Sequence, residues 1–439
     1  MAAMKVYLET YGCQMNVSDS QKLLTLLAAA GYEAGEDPAR ADLIIINTCS
    51  VRDKPEQKVF SALGRYLPLK KRRPGLVVAV GGCVAQQWGA ALQRRCPDLD
   101  LVFGTHAIDR VPALVVAVRE TRQPAAVTDF REEIPSLDVV PAQPPGAVAA
   151  FVTIMQGCDN YCSYCIVPYV RGREYSRTSA AILAEIRALV SRGIKEVTLL
   201  GQNVNSYGRR PAGEIGFVEL LRRVDGIAGL ARLRFTTSHP KDLSPALAAA
   251  FGELEHLCPH IHLPLQAGSD AVLRRMGRGY TAAEYLEKVA ALRRARPDIA
   301  LSTDLIVGFP GEKEADFQRT MDLLEEVRYD TVYSFKYSPR PGTRAAALAG
   351  QVPDEVKKER LRRLQQRQDE ITAANLRALE GSRQEVLVEG PAKKGAGRWV
   401  GRTPGNRIVN FSGPAGLLGS LVPVKITRAL RHSLQGELD

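Results

Sequence analysis

The sequence lacks long apolar segments and has no excess of glycine or proline. No window approaches the roughly 18 consecutive apolar residues of a membrane-spanning helix, so we expect no membrane partner. The first residues, MAAMKVYLETYGCQMN, lack the charged start and long apolar stretch of a secretory signal, which predicts a cytoplasmic protein with few disulfides. With 37 Gly and 26 Pro among 439 residues, collagen-like and low-complexity chains are excluded.

What the chain contains is the composition of a globular protein with a basic excess. Hydrophobic residues make up 45% and charged residues 24%, and at roughly 100–200 residues per domain the length predicts several domains. Lys and Arg number 59 against 48 Asp and Glu, a net charge of +11, which indicates a polyanionic partner. Eight cysteines are present, and in a reducing compartment we expect metal ligands, nucleophiles or core residues among them.

The first region alternates buried strands with helices. Strands are predicted at 5–10, 43–48, 76–80 and 101–103, and helices at 18–30, 54–67, 84–93 and 111–120. This alternation predicts right-handed crossovers and a parallel sheet, so residues 1–120 are expected to form a small doubly wound α/β domain. Residues 121–146 contain five prolines and little periodicity, which predicts a linker or a strap over the surface.

The central region, residues 147–377, repeats the alternation with longer units. Six strands are predicted at 151–155, 196–201, 233–237, 261–265, 300–307 and 332–336, and helices at 180–191, 216–225, 244–254, 281–294 and 314–327. Six βα units predict a partial (β/α)6 barrel, whose chemistry gathers at the C-terminal strand ends. The segment 354–380, with seven Lys or Arg and six Asp or Glu, is predicted to be a solvated connecting helix.

The last region, residues 378–439, changes character. Short strands are predicted at 384–389, 397–402, 407–411 and 422–426, separated by Gly and Pro, which indicates a small β-barrel. Residues 381–439 contain nine Lys or Arg and four Asp or Glu. That excess fits a nucleic-acid-binding domain, although composition alone favours a merely soluble domain almost as strongly.

Three closely spaced cysteines follow the first predicted barrel strand. Cys158, Cys162 and Cys165, here called the loop triad, have the spacing C-x3-C-x2-C. Three such thiolates can bind three irons of an iron–sulfur cube and leave the fourth iron without a protein ligand. A structural zinc site needs four ligands, and no fourth Cys or His lies nearby, so zinc is the minor alternative.

Three other cysteines share a topological position. Cys13, Cys49 and Cys83, here called the sheet triad, each follow a predicted parallel strand, and ligands of open α/β sheets gather at that edge. The sheet triad therefore predicts a second open cluster, and buried core cysteines are the alternative. Cys96 is expected to be structural. In Cys258-Pro-His260-Ile-His262 the alternate spacing allows a metal site, but a barrel-lining role for His262 is favoured.

The loop triad resembles the signature of the radical S-adenosylmethionine enzymes, and the whole chain resembles the methylthiotransferases. The matching segments are TYGCQMN (10–16), NTCSVR (47–52), GGCVAQ (81–86), GCDNYCSYCIVPYVRGRE (157–174), LLGQNVNSY (199–207), TTSHP (236–240), HLPLQAGSD (262–270) and DLIVGFPGE (304–312). Around the first cysteine and in GRTPGNRIVNF, the chain is similar to the branch that modifies isopentenylated adenosine in tRNA. The C-terminal barrel would then be a TRAM domain, an RNA-binding module.

The resemblance implies two [4Fe-4S] clusters, one held by each triad, with a sulfur for transfer on the open iron of the sheet-triad cluster. It implies two S-adenosylmethionine molecules per modification: one methylates that sulfur, and the other is cleaved reductively to a 5′-deoxyadenosyl radical. The methylthio group is then installed at C2 of N6-isopentenyladenosine at position 37 of tRNA. An aromatic C2–H offers no acidity or leaving group, which explains why cofactors are needed for this step.

Further motif residues are predicted to position the cofactor. Tyr164 is expected near the adenine, and Gly308 and Gly311 are expected either to let the backbone approach it or only to form a turn. Arg171 and Arg173 are expected at a phosphate or at the cofactor carboxylate. The remaining predicted hydrogen-bond partners of the ribose or methionine part are Gln202, Asn203, Ser238, Gln266 and Asp304.

The predicted macromolecular partner is the anticodon loop of tRNA, where an unstacked base enters a pocket without opening a helix. Charge and stacking surfaces are predicted in the last domain at Lys393, Lys394, Arg398, Trp399, Arg402, Arg407 and Phe411. A flavodoxin or ferredoxin is the expected electron donor, and the chain is expected to be a monomer. The alternatives are threonylcarbamoyl-adenosine in tRNA or a ribosomal protein as substrate, and a non-catalytic iron–sulfur RNA-binding or electron-carrier protein.

Overall fold

The computed structural model describes residues 3–50, 55–211, 213–392 and 397–439. The first domain is a six-stranded parallel sheet in the order β2–β1–β3–β4–β5–β6. Its strands are β1 (Met4–Thr10), β2 (Tyr32–Ala34), β3 (Leu43–Thr48), β4 (Val77–Gly82), β5 (Leu101–Phe103) and β6 (Ala125–Val127). Its helices are α1 (Gln14–Ala29), α2 (Pro55–Tyr66), α3 (Cys83–Trp88), α4 (Ala90–Arg95) and α5 (Val111–Thr121).

Alternation along the central strands produces two cores, one on each face of this sheet. Ile45 of β3 packs with α1 and α5, whereas its neighbours Ile44 and Ile46 pack with α2, α3 and α4. Strands covered on both faces are continuous apolar runs, which confirms the predicted doubly wound fold. Two local predictions were wrong. The edge strand β6 lies inside the predicted linker, and Gly89, with φ +50°, divides the predicted helix 84–93.

The second domain is the predicted partial barrel of six parallel strands. These are β7 (Ala149–Thr153), β10 (Glu196–Leu200), β11 (Arg232–Thr236), β12 (His260–His262), β13 (Ala300–Val307) and β14 (Thr331–Lys336), with the short pair β8 (Met155–Gln156) and β9 (Tyr175–Ser176). They form two sheets, β11–β10–β7 and β12–β13–β14, joined by a parallel bridge between Leu233 and Leu257.

Helices cover the outside of the barrel. They are α6 (Val167–Arg171), α7 (Ser179–Ser191), α8 (Phe217–Asp225), α9 (Pro245–Glu253), α10 (Asp270–Met276), α11 (Ala282–Ala295), α12 (Glu314–Val327) and α13 (Asp354–Arg377). Three of them begin at hydroxyl caps, because Thr178, Ser244 and Thr281 each accept a hydrogen bond from a backbone N–H in the first turn. Helix α10 was not predicted from the sequence.

The long charged helix α13 is not the solvated connector that its composition predicted. Leu364 and Ile371 belong to the barrel core, and Lys357 and Arg360 are buried as well. Arg360 forms an ion pair with Glu312 at 2.7 Å. Six buried positions among many charged ones are enough to pack the helix against the protein, and charge counting alone does not reveal that stripe.

The third domain is a closed five-stranded barrel in the order β15–β16–β17–β19–β18, which confirms the predicted fold class. Its strands are β15 (Arg383–Pro391), β16 (Arg398–Arg402), β17 (Ile408–Ser412), β18 (Leu421–Ala429) and β19 (Leu434–Leu438). Strand β19 was not predicted from the sequence. Leu376 of α13 packs into the core of this barrel together with Phe411, which joins the last two domains.

Arginines of β11 attach the third domain to the barrel. Arg232 donates a hydrogen bond to the carbonyl of Arg402 at 2.6 Å, and Arg234 donates to the carbonyls of Thr403 and Pro404 at 2.9 and 2.7 Å. Backbone carbonyls of the turn after β16 therefore satisfy buried guanidinium groups. In the described parts of the chain, no helix is both long and apolar enough to cross a membrane.

Candidate active site

The loop triad lies in the turn that connects β8 to α6, at the C-terminal edge of the barrel strands. Gly157 begins this turn with φ +83°, and a Cβ there would lie 1.9 Å from the carbonyl oxygen of Arg173. The Gly157 N–H donates to Gln202 Oε1 at 2.5 Å, and the Cys158 N–H donates to the Gly172 carbonyl at 3.2 Å. Only glycine fits this close approach, so it sets the direction in which the three thiols enter the site.

A buried arginine lies beside the loop triad. Arg278 donates hydrogen bonds to Cys162 Sγ at 3.4 Å, to the Tyr164 hydroxyl at 3.5 Å and to the Pro264 carbonyl at 2.8 Å. His239 Nε2 lies 3.9 Å from Cys162 Sγ. Burial lowers the pKa of His239 to about 2, so this imidazole remains neutral at physiological pH.

Burial also controls the other two thiols of the loop triad. It raises the pKa of Cys158 to about 11 and, together with the neighbouring Cys162, the pKa of Cys165 to about 12. These groups are therefore thiols at neutral pH in the bare protein. A bound metal deprotonates a coordinating thiol outright, so the donor set fits the cationic iron ions of an iron–sulfur cluster. All eight cysteines, each in a described segment, are reduced thiols.

The residues predicted to bind the cofactor lie along the strand ends beside the loop triad. Asn203 donates to Asp242 at 2.7 Å, while its Oδ1 has no hydrogen-bond partner among the described residues. The buried Ser238 Oγ, within the same described residues, is likewise without a partner. Buried polar atoms are normally satisfied, so these two oxygens fit a polar ligand, as a ribose or an amino acid part would be.

Gln266 and Asp304 come together on the opposite sheet. The Gln266 N–H donates to the Asp304 carbonyl at 2.9 Å, and Gln266 has φ +72°, which is uncommon for a residue other than glycine. The Asp304 carboxylate lies 3.5 Å from His262 Nε2. Backbone strain such as that of Gln266 clusters at functional sites. Near these residues, Tyr164 packs edge-to-face against Phe309, with ring centroids 6.5 Å apart.

Four other predicted contacts have different surroundings. A Cβ on Gly308 would lie 2.3 Å from Lys357 Cγ, and one on Gly311 would lie 1.2 Å from Arg275 Nη1, so protein side chains occupy the space beside both glycines. Arg171 is buried at the boundary with the first domain, and Arg173 forms a surface ion pair with Asp159 at 2.8 Å. The turn-forming role of the two glycines is therefore favoured.

The sheet triad is assembled from three separate loops. Cys13 precedes α1, Cys49 follows β3, and Cys83 begins α3 directly after β4. A methyl group on Gly12, which has φ +122°, would lie 2.1 Å from Cys49 Cβ, so the first two loops are in close contact. Parallel register brings the loops together, because Thr10 pairs with Asn47 and Thr48 pairs with Gly82.

Asn16 holds the loops of the sheet triad in place. Its side-chain amide donates to the Thr48 carbonyl at 2.7 Å and to the Tyr11 carbonyl at 3.2 Å, and its Oδ1 accepts from Cys13 Sγ at 3.6 Å. Asn47 donates to the Asn16 carbonyl at 2.9 Å. Both asparagines occur in the motifs TYGCQMN and NTCSVR, but nothing in their spacing predicted that they would contact each other.

One cysteine of the sheet triad meets the segment that follows the loop triad, at the boundary of the first two domains. Cys83 packs with Ile166 and Val170, and Ile166 directly follows Cys165. Hydrogen bonding to Cys49 and the positive charge of Arg171 lower the pKa of the Cys13 thiol, against the effect of burial. Burial raises the pKa of Cys83.

No three His, Cys, Asp or Glu side chains of the described residues converge where one metal ion could be held. In the Cys258–His260–His262 segment, His260 is half-buried, and loss of solvation lowers its pKa to about 3. An iron–sulfur cube has a different requirement, because each thiolate binds its own iron and the three sulfurs stay apart. Cys96 packs against the core of the first domain.

The predicted RNA-binding residues are only partly free to act. Arg402 pairs with Glu389 at 3.0 Å, Arg407 pairs with Asp330 of the barrel, and Trp399 donates its indole N–H to the Pro414 carbonyl at 2.9 Å. Phe411 is buried in the barrel core, so it offers no stacking surface, contrary to the prediction. Arg398 lies on β16, and Lys393 and Lys394 lie outside the described residues.

A known protein family or domain matches each of the three domains. Residues 5–104 match the Uncharacterized protein family UPF0004, residues 152–324 match the Radical SAM superfamily, and residues 377–438 match the TRAM domain. Among solved structures, the radical S-adenosylmethionine methyltransferase TsrM from Kitasatospora setae, with cobalamin and a [4Fe-4S] cluster bound, is 15% identical with a TM-score of 0.58. The likeness covers 78% of this chain and 77% of that one, and it supports the fold alone.

Two full-length relatives carry the name tRNA-2-methylthio-N(6)-dimethylallyladenosine synthase. The protein from Geobacter metallireducens is 57% identical over 99% of this chain and 98% of its own length. The protein from Geobacter sulfurreducens is 54% identical over 99% of this chain and 97% of its own length. The family resemblance is thereby confirmed, and the chain belongs to the tRNA-2-methylthio-N(6)-dimethylallyladenosine synthase family of radical S-adenosylmethionine enzymes.

Proposed function

We propose that this chain installs a methylthio group at C2 of N6-isopentenyladenosine, also called N6-dimethylallyladenosine, at position 37 of tRNA. The observation that carries the proposal is the juxtaposition of two reduced cysteine triads, with Cys83 packed on Val170 and on Ile166, the residue that follows Cys165. A carrier protein would normally saturate one cluster with protein ligands. Two neighbouring triads, each one ligand short, instead suit two [4Fe-4S] clusters with open irons.

The proposed reaction uses two S-adenosylmethionine molecules, one as methyl donor and one as radical source. When bound, a cluster at the loop triad would supply the electron that cleaves S-adenosylmethionine to methionine and a 5′-deoxyadenosyl radical, and one at the sheet triad would supply sulfur. The protein binds, orients and shields these reactants. Gln202 fixes the loop triad through Gly157, and Arg278 contacts both Cys162 and Tyr164.

The unpaired oxygens of Asn203 and Ser238 are proposed contacts of the cofactor. They are joined in the proposal by Tyr164, Gln266 and Asp304, which lie near the same strand ends. Each of these groups supplies hydrogen-bonding or packing surface, and none is needed as an acid or base, because hydrogen removal is radical chemistry. Their role is to hold the cofactor in a fixed orientation, which is how proteins contribute to such reactions.

The third domain is the proposed contact for tRNA outside the anticodon loop. Arg398 supplies positive charge, as do Lys393 and Lys394 before it in the sequence, and the exposed Lys425 and Arg428 of β18 add to it. Arg402, Arg407 and Trp399 are weaker candidates for contacts with tRNA, because each already has a partner within the chain. Binding dominated by phosphate contacts should weaken steeply with added salt. A flavodoxin or ferredoxin as electron donor, a monomeric state and a cytoplasmic location complete the proposal.

The proposal is tested with reconstituted, reduced protein, S-adenosylmethionine and isopentenylated tRNA, followed by mass analysis of nucleosides. We expect 2-methylthio-N6-isopentenyladenosine and 5′-deoxyadenosine. Replacing all three loop-triad cysteines by Ala should abolish both products. Replacing the sheet triad should abolish methylthiolation and leave some 5′-deoxyadenosine, because the loop triad is intact.

The double variant Cys96→Ala with Cys258→Ala is the matched control, since both thiols lie outside the triads, and it should retain both products. Parallel reactions with threonylcarbamoylated tRNA and with a ribosomal protein test the alternative substrates. Repeated methylthiolation by the sheet-triad variant would overturn the assignment of the sulfur site. The assignment of the substrate would be overturned if one of these alternative substrates were methylthiolated and isopentenylated tRNA were not.

A further inference from the structure

Helix α6 connects the two triads. It begins two residues after Cys165, and its Val170 and the preceding Ile166 pack on Cys83 at this boundary. The Val170 carbonyl accepts a hydrogen bond from Thr105 Oγ1 at 2.7 Å, and the Arg171 carbonyl lies 3.0 Å from His106 Nε2. The peptide that carries the loop triad is therefore fastened directly to the first domain.

The last residue of α6 is a buried cation. Arg171 is 2% exposed, and its guanidinium pairs with Asp19 of α1 at 2.7 Å. It also donates to Asn16 Oδ1 at 3.0 Å and to Gln156 Oε1 at 3.4 Å. Asn16 is the residue that ties together the loops of Cys13 and Cys49. One side chain of the barrel domain thus reaches into the hydrogen-bond network of the sheet triad.

Arg171 also approaches the sheet triad itself. It donates to Asn16 Oδ1, which accepts from Cys13 Sγ, and its neighbour Val170 packs on Cys83. Three thiolates and Asp19 would otherwise concentrate negative charge in a buried site, which is costly without a cation. A buried ion pair alone adds little net stability compared with well-packed apolar residues, so stability does not explain this arginine.

We infer that Arg171 is a positioning residue for the sheet triad: it fixes that triad against the loop triad and offsets the negative charge of a bound iron–sulfur group. The inference rests on the proposed function only in assuming that the sheet triad binds such a group. Outer-shell partners of metal ligands change metal affinity by about 10- to 100-fold when they are removed. Electrostatics further requires that loss of a nearby cation disfavours the reduced, more negative state.

The test isolates the sheet triad in a full-length chain in which Cys158, Cys162 and Cys165 are replaced by Ala. Iron and sulfide per chain are measured after anaerobic reconstitution and chelator challenge, and the reduction potential is measured by electron paramagnetic resonance during redox titration. Arg171→Met should weaken iron retention about 10- to 100-fold and shift the potential to more negative values. In the complementary chain without the sheet triad, Arg171→Met should leave iron retention by the loop triad unchanged.

Two further variants separate charge from packing. Asp19→Asn keeps Arg171 and removes its carboxylate partner, so it should shift the potential to less negative values. A merely structural role would move both variants in the same direction. Arg171→Lys keeps the charge and loses the two-pronged contact, so its potential should stay near that of the starting chain while hydrogen exchange in α1 and α6 becomes faster.

Arg177→Met is the matched control. Arg177 is a buried arginine of the same boundary, paired with Glu185 at 2.6 Å and Asp138 at 3.0 Å. The Arg177→Met substitution should lower the stability of the protein without changing the reduction potential of the sheet-triad cluster. The inference is overturned if Arg171→Met has the starting potential and iron retention, or if Arg177→Met shifts the potential equally. Failure of the starting chain to bind iron at the sheet triad would instead overturn the proposed function.

Discussion

The two cysteine triads are built in different ways. The loop triad occupies eight consecutive residues and depends on one glycine-initiated turn at Gly157. The sheet triad collects Cys13, Cys49 and Cys83 from three loops, and the parallel register of β1, β3 and β4 brings those loops to one edge. The comparison shows that similar donor sets can come from local sequence or from topology. A donor set assembled by topology, such as the sheet triad, forms only when many contacts between distant parts of the chain are in place.

The electrostatic surroundings of the two triads also differ. Around the loop triad, burial dominates and raises the pKa of Cys158 and Cys165. Around the sheet triad, Arg171 from the other domain opposes burial. The charges that act on Cys158 and Cys165 therefore come from their own domain, whereas the sheet triad takes part of its charge balance from across a boundary.

The largest expected effect comes from glycines that admit no side chain. Gly12→Ala should abolish iron binding by the sheet triad, because the added Cβ would lie 2.1 Å from Cys49 Cβ. Gly157→Ala should abolish iron binding by the loop triad, because its Cβ would lie 1.9 Å from the Arg173 carbonyl oxygen. Iron per chain and the iron–sulfur absorption spectrum measure the loss.

The matched controls for these variants are Gly31→Ala and Gly193→Ala. Both glycines have positive φ, +85° and +94°, but a Cβ on either would meet no atom within 4 Å. They should lose about 1–2 kcal/mol of stability from backbone strain and retain both clusters. If Gly12→Ala reduced iron binding at both triads equally, the two triads would not be independent of each other.

A smaller difference is expected between two asparagines. Asn16→Ala removes hydrogen bonds to the buried carbonyl of Thr48 and to Tyr11, so the metal-free protein should lose about 2–3 kcal/mol in denaturant unfolding. Asn160→Ala removes a contact to Cys158 Sγ at 3.5 Å and one to the exposed Lys241, and should lose less than about 1 kcal/mol. An equal loss would show that the loop triad is as dependent on side-chain support as the sheet triad.

The smallest expected effect is an order of thiol modification in the metal-free protein. At pH 7, Cys13 should react with iodoacetamide before Cys158, since its lowered pKa leaves more thiolate. The rate at Cys13 should fall as the pH decreases. Cys158, with a pKa of about 11, should become reactive only in strongly alkaline solution. Mass analysis of the labelled peptides gives the order, and faster labelling of Cys158 at pH 7 would contradict it.

Much of the fold was predictable because its central strands are continuous apolar runs. The four strands β1, β3, β4 and β5, the six barrel strands and the last barrel's fold class follow from such runs. Short elements were missed for a physical reason. Strands β2 and β6 have three residues each and lie at the sheet edges, where pairing with one neighbour rather than intrinsic preference decides their conformation.

Side-chain partners were predicted less well. Arg171, Arg402 and Arg407 were expected at an anionic ligand, but they pair with Asp19, Glu389 and Asp330 inside the chain. Arg278 was not singled out at all, although it contacts the loop triad. An arginine in a sequence reveals that a carboxylate, phosphate or carbonyl is needed, but not which one, because the partner is distant along the chain.

By itself, the sequence determined the chemistry of the donors: six thiols in two sets of three, and a chain able to fold as α/β sheet, partial barrel and β-barrel. Only the tertiary structure decided that Cys83 packs beside the loop triad and that one buried arginine serves both sides of the boundary. The reason is physical. Residue type and local spacing carry bonding capacity, whereas the distance between Cys83 and Ile166 depends on how two separately folded domains pack.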